Sequence, residues 1–279
     1  MRPETEVAIE PAFVAGHAGQ LLTMVYRPIG HTARGALLVI PPFAEEMNRV
    51  RRSVALVARA VAQHGFATVI TDLYGTGDSE GEFADARWET WCDDLAVAAG
   101  QSRAPDFAIT HVLGIRCGAL LALDAMGRGL LTPRRLILWN PVASGRQYLD
   151  QFLRLRVAAD MAKPAPARTT VEQLRRELAD GACVEVSGYE LHPLLVAAID
   201  RQELTPFASS EASLSWIEVT GSQSGISPAA RQAVSRFEAA GWQVTTTPVF
   251  GPQVWSTPET TVNDLLNAAT VAAVSDAAD

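Results

Sequence analysis

Apolar positions along this chain alternate between two rhythms. The run 35–40 is continuously apolar after Gly35, which predicts a strand buried on both faces of a parallel sheet. Residues 50–64 then place Val50, Val54, Val57 and Val61 on one helical stripe that stops at Gly65. The pattern repeats with strands at 66–74, 106–115 and 134–142 and helices at 86–100 and 117–128. It resumes later with a strand at 213–221, a helix at 227–240, a strand at 243–250 and a last helix at 257–275. Ahead of all this, 7–15 and 19–29 read as two strands meeting at Gly16 and Gly19. Strands alternating with helices at this spacing specify a mostly parallel sheet with helices on both faces, here eight-stranded. From 145 to 205 the alternation fails, and polar helical stretches surround a Pro/Ala-rich segment, Lys163–Arg168. The expected layout is a core of residues 1–144 and 206–279 interrupted by a helical cap at 145–205.

One turn carries candidate chemistry. The apolar strand ending in Gly114 is followed by Ile115, Arg116, Cys117 and Gly118 at the start of an Ala/Leu-rich helix. This matches the sharp strand-to-helix elbow that presents a nucleophile, read with Cys117 at the nucleophile place and small Ala119 where the pattern has its last glycine. A helix N-terminus favours thiolate, and Arg116 adds positive potential. The competing reading makes Cys117 a small buried hydrophobe.

Composition narrows the partners. With 279 residues and 48% hydrophobic content the chain can bury one large core. A net charge of −8 argues against nucleic acid and anionic membrane surfaces. Cys92, Cys117 and Cys183 are too few for a disulfide framework and have no zinc spacing, so reduced thiols and a cytoplasmic protein are expected, with no cofactor or metal. No basic start precedes an apolar run at the N-terminus, and no stretch is apolar for long enough to insert in a membrane. The partner expected is a small-molecule acyl or ester substrate. Nothing in the sequence sets an oligomeric state.

The elbow, together with Asp72-Leu-Tyr-Gly75-Thr-Gly77-Asp78-Ser79, resembles the α/β-hydrolase superfamily, and the order of elements agrees over nearly the whole chain. More narrowly, Pro41-Pro-Phe-Ala-Glu-Glu-Met-Asn48, with Arg51-Arg52, Gly188-Tyr-Glu-Leu191 and the Trp255 region, resembles the second hydrolase associated with exosortase A systems. That resemblance implies a bacterial enzyme encoded near machinery for PEP-CTERM sorting and exopolysaccharide production.

The α/β-hydrolase resemblance implies oxyanion N–H groups from Phe43 or Ala44 and from Gly118, an acid after the seventh strand and a histidine after the eighth. Here Ser224 stands at the acid position, and Gly251-Pro-Gln-Val-Trp255 contains no histidine. The standard triad is absent. Of the five histidines only His192, in the cap, is a candidate base near Cys117. Glu45 and Glu46 follow the third strand and offer a carboxylate near the nucleophile, an arrangement that resembles dienelactone hydrolases. They equally suit plain electrostatics, as acids at a helix start facing Arg49, Arg51 and Arg52. Asp78 and Ser79 read as loop braces, and Trp255 as core or pocket wall. Two functions follow: a hydrolase or acyltransferase working on an ester, thioester or lactone through Cys117, or a degenerate fold that binds a ligand or partner.

Overall fold

The computed structural model describes residues 6–101, 107–162, 169–208, 213–221, 225–257 and 259–276. Lys163–Arg168 and the Ser224 position lie outside them.

The two N-terminal strands, β1 (Val7–Ala15) and β2 (Gln20–Pro28), form the expected antiparallel hairpin. All five residues of β3 (Ala36–Ile40) are buried, as the unbroken apolar run requires of a central strand. With β4 (Ala67–Thr71), β5 (Ile109–Ile115) and β6 (Arg135–Trp139) it forms the middle of an eight-stranded sheet. The last sheet strands are β9 (Ser213–Thr220) and β10 (Gln243–Phe250), and the order is β1-β2-β4-β3-β5-β6-β9-β10. Within this sheet, among the described residues, only β1–β2 and β2–β4 are antiparallel. The fold is that of the α/β-hydrolases.

Helices α1 (Glu45–Gln63) and α8 (Asp264–Ser275) cover one face of the sheet, where Val50, Val54, Val57 and Val61 share a buried cluster with Leu266 and Val274. The other face carries α2 (Trp88–Gln101), α3 (Gly118–Gly127) and α7 (Pro228–Ala239). Two helix starts differ from expectation. α1 begins five residues before its valine stripe, because Glu45 and Glu46 are acids that suit a first turn though they add nothing to the apolar pattern. α8 begins at Asp264 instead of 257, where the Asn263 side chain accepts the Leu266 N–H at 3.1 Å.

Between β6 and β9 lie α4 (Gly145–Met161), α5 (Val171–Ala179) and α6 (Pro193–Asp200), as the helical stretches suggested. They also enclose a small hairpin, β7 (Val184–Val186) and β8 (Tyr189–Leu191), that periodicity did not reveal. Its turn places Ser187 at φ 52° and Gly188 at φ 86°, the two left-handed residues that a tight hairpin demands. Leu149, Leu153, Leu174 and Val186 join the same apolar cluster as α2 and α3, so this segment shares the core of the sheet.

The Ser79 side chain braces the loop after β4 as expected, whereas Asp78 takes part through its backbone N–H, which donates to Asp72 Oδ2 at 3.0 Å. Ser79 Oγ donates to Asp72 O at 2.5 Å and accepts the Leu22 N–H at 2.9 Å. Gly77, at φ 57°, could carry no side chain, because a Cβ would fall 2.0 Å from Asp72 Oδ2. Next to this loop Asp94 is fully buried; its Oδ2 accepts the Tyr74 N–H at 2.8 Å, while Oδ1 has no partner among the described residues.

Burial lifts the Asp94 carboxyl to about 6, against the Tyr74 N–H that favours its ionised form. The folded state then holds a proton that the unfolded chain gives up near pH 4, so this group's contribution falls as pH rises from about 4 to about 6. Asp94→Asn should therefore gain stability relative to wild type by roughly 1.4 kcal/mol per pH unit across that window and level off above it. Chemical denaturation of both proteins between pH 4 and 8 checks this; a constant difference would refute it.

Candidate functional site

The turn between β5 and α3 contains two residues with different backbones. Arg116 has φ 53°, whereas Cys117 is helical at φ −62° and ψ −29°. The strained apex is thus Arg116, which corrects the expected register by one residue: the turn is Gly114-x-Arg116-x-Gly118, with both glycines in their places. Sterics explain why. A Cβ at Gly114 would lie 2.8 Å from Ala119 Cα, and one at Gly118 would lie 2.4 Å from Pro41 O. In such an elbow the N–H after the apex faces the oxyanion. That residue is Cys117, and Gly118 instead permits the close approach to the end of β3.

Cys117 is 3% exposed and lines a cavity of about 320 Å3 with Phe43, Ala44 and Gly118. Its thiol is pushed up to about 12, first by burial and then by the Glu46 charge, with Arg116 opposing. The expected thiolate is therefore not favoured, because desolvation outweighs the cation and the helix terminus. Met47, Leu73, Phe83, Trp88, Trp91 and Tyr189 are also in the cavity wall. Phe43 meets Phe83, Trp91, Tyr148 and Phe152 edge-on, at ring-centroid distances from 5.3 to 6.1 Å. Ala44, at φ 53° and ψ −126°, turns the chain sharply from β3 into α1. Ala44, Met47 and Asn48 at the start of α1 and Cys117 and Gly118 at the start of α3 line the same cavity.

Glu46 is drawn to Arg116 instead of a nucleophile. Its Oε1 lies 3.4 Å from Arg116 Nε and its Oε2 accepts the Tyr148 hydroxyl at 3.1 Å. Burial raises the Glu46 carboxyl and Arg116 opposes it. Glu45 points elsewhere, to Arg49 at 3.4 Å, with Asn48 and the Tyr189 hydroxyl at 3.5 Å. Arg51 pairs with Asp72 at 2.9 Å.

Arg116 also donates to Asn140 O at 2.9 Å, and its guanidinium stands 5.5 Å from the centroid of the buried Trp255 ring. A second cavity of about 300 Å3 is lined by Glu45, Glu46, Arg49, Arg116, Tyr148 and Trp255, among others.

His192 is not part of this group. It caps α6, its Nδ1 accepting the Leu194 N–H at 3.1 Å, and none of the five histidines lines either cavity. Among the described residues no group of three or more His, Cys, Asp and Glu is placed to hold a metal. Sequence reasoning missed Tyr148 and Asn140, which are remote from every motif and reach the turn only through the packing of α4 and the end of β6.

The sequence profile of the serine aminopeptidase (S33) family matches residues 31–199. A search of curated proteins finds no match. Among solved structures, Est1E from Butyrivibrio proteoclasticus with bound ferulic acid is 14% identical, with a TM-score of 0.62 over 95% of this chain and 96% of that one. A fungal esterase from Rhizomucor miehei is 15% identical, with a TM-score of 0.57 over 98% and 85%. An esterase from Pyrobaculum calidifontis is 15% identical, with a TM-score of 0.54 over 97% and 83%. At these identities the likeness is one of fold.

Two outcomes follow from the turn. Iodoacetamide at pH 8 should modify exposed Cys183 well before buried Cys92 and Cys117, read by peptide mass spectrometry. Fastest labelling at Cys117 would show that its thiol is activated. Gly118→Ala should lose about 2 kcal/mol or more, since the new Cβ meets the backbone of β3; an unchanged melting temperature would contradict the close approach.

Proposed function

We propose, from the premise that the chain belongs to the serine aminopeptidase (S33) family of α/β-hydrolases, that it binds a small neutral ester or acyl compound in the first cavity without acylating its elbow. The observation that carries this reading is Arg116 at the apex. A guanidinium keeps its proton under all ordinary conditions and has no nucleophilic role there. Cys117 and Gly118, at the N-terminus of α3, line the cavity, and backbone N–H groups at such a turn suit a carbonyl oxygen. An aromatic wall suits an apolar or aryl arm. Among the described residues Glu82 is the one formally charged residue in the cavity lining, so a neutral ligand fits better than an anion.

The cysteine reading has one observation in its favour: Cys117 lines the same cavity as Phe43, Ala44 and Gly118. In that reading the thiol attacks an ester, thioester or lactone carbonyl. Burial and the Glu46 charge push the thiol up to about 12, which disfavours thiolate at pH 7. Deacylation would also need a base, and Glu46 faces the second cavity. The resemblance of Pro41–Asn48 to the second exosortase A-associated hydrolase adds a context of PEP-CTERM sorting and exopolysaccharide production to this proposal.

Methyl ferulate is a suitable neutral aryl ester, given that Est1E holds ferulic acid. It should quench the fluorescence of Trp88 and Trp91 saturably and be recovered unhydrolysed. Intact-protein mass spectrometry with activated esters and thioesters should show no acyl adduct. An adduct lost in Cys117→Ala would establish the thiol as nucleophile, and absence of saturable binding would remove the ligand reading.

A further inference from the structure

The second cavity has a different chemistry, and the geometry points to it as a site for a small organic carboxylate that Arg116 takes up in exchange for Glu46. This inference does not depend on what the first cavity binds. Phe43 of the first cavity abuts Tyr148 and Phe152 of the second, so one layer of rings separates them.

Arginine carries five N–H donors in a planar fork. Among the described residues Arg116 uses two of them, Nε toward Glu46 at the long distance of 3.4 Å and one on Nη1 to Asn140 O. Its side chain is 22% exposed, its cation is seated over Trp255, and it borders the cavity. An incoming carboxylate could take two parallel N–H bonds from that fork, a stronger contact than the single long one it replaces. Arg49 adds a second cation on the same wall, and Phe152 with half-exposed Leu155 offers an apolar surface for the body of the ligand.

A second anion next to Glu46 would be repelled unless Glu46 becomes neutral. Glu46 is the group able to do so, since burial already raises its carboxyl. The charged and titratable groups around it are Glu45 and Arg49 on α1, Arg116 and Cys117 at the turn, and Tyr148 on α4. Tyr148 can keep its bond to the neutral acid. Charge balances when one proton enters from solvent with each monoanion. A phosphate dianion would leave one negative charge uncompensated between Glu45 and Glu46, which favours the monocarboxylate.

Calorimetric titration with benzoate tests the exchange, in buffers of different ionisation heat between pH 6 and 8. Expected are uptake of about one proton per benzoate and affinity that weakens about tenfold per pH unit once Glu46 is ionised. Glu46→Gln should bind benzoate with that pH dependence removed. Arg116→Gly relieves the left-handed backbone while deleting the guanidinium, and should lose at least about tenfold in affinity. If that variant does not fold, Arg116→Asn, which also tolerates the left-handed region, carries the same test. The proposal is overturned by no binding at millimolar benzoate, by binding that survives loss of Arg116, by binding without proton uptake, or by tighter binding of inorganic phosphate. Methyl ferulate binding is read separately, so either cavity can fail alone.

Discussion

The start of α3 and the end of β3 meet backbone to backbone, so closely that a methyl group at Gly118 would sit 2.4 Å from the Pro41 carbonyl oxygen. That approach forces the chain to reverse within the two residues after β5. Arg116 absorbs the reversal at φ 53°, a conformation that costs of order 1–3 kcal/mol for a residue with a side chain. Its backbone is held from three directions: its N–H donates to Trp139 O, and its carbonyl accepts the N–H groups of Ala119 and Val142. The apex is therefore a rigid point from which the long side chain projects.

What projects is a permanent cation, and the surroundings are arranged to match it. Glu46 reaches it from the first turn of α1, Asn140 offers a carbonyl at the end of β6, and Trp255 provides a ring face after β10. Tyr148, from α4, binds the other oxygen of Glu46 and so ties the segment between β6 and β9 to the turn. The same carboxylate raises the neighbouring thiol. Cys117 stays a neutral wall residue first because it is buried and then because of the Glu46 charge, with Arg116 opposing both. Two cavities of similar size result, one nearly free of charge beside the helix starts and one built around an ion pair.

Much of the fold was legible because burial leaves periodic traces. The five-residue buried run of β3 and the valine stripe of α1 could hardly be read otherwise. The β7–β8 hairpin was not, since three-residue strands are shorter than any usable period and only Ser187-Gly188 hints at the turn. The start of α1 was missed because electrostatics, which has no period, extends it over Glu45 and Glu46. At the elbow, a reactive residue type beside a glycine drew attention to Cys117, while the spacing of Gly114 and Gly118 already centred on Arg116.

Sequence by itself determined the parallel sheet flanked by helices, the location of the turn between β5 and α3, and the lack of a histidine after β10, because each is a matter of local pattern or of residue identity. Only tertiary structure decided which residue occupies the strained apex, that Glu46 serves Arg116 and not a thiol, and that His192 caps a helix away from both cavities. Those outcomes depend on a backbone dihedral and on contacts between residues far apart in the chain, such as Tyr148 with Glu46 and Arg116 with Trp255, which no spacing along the chain encodes.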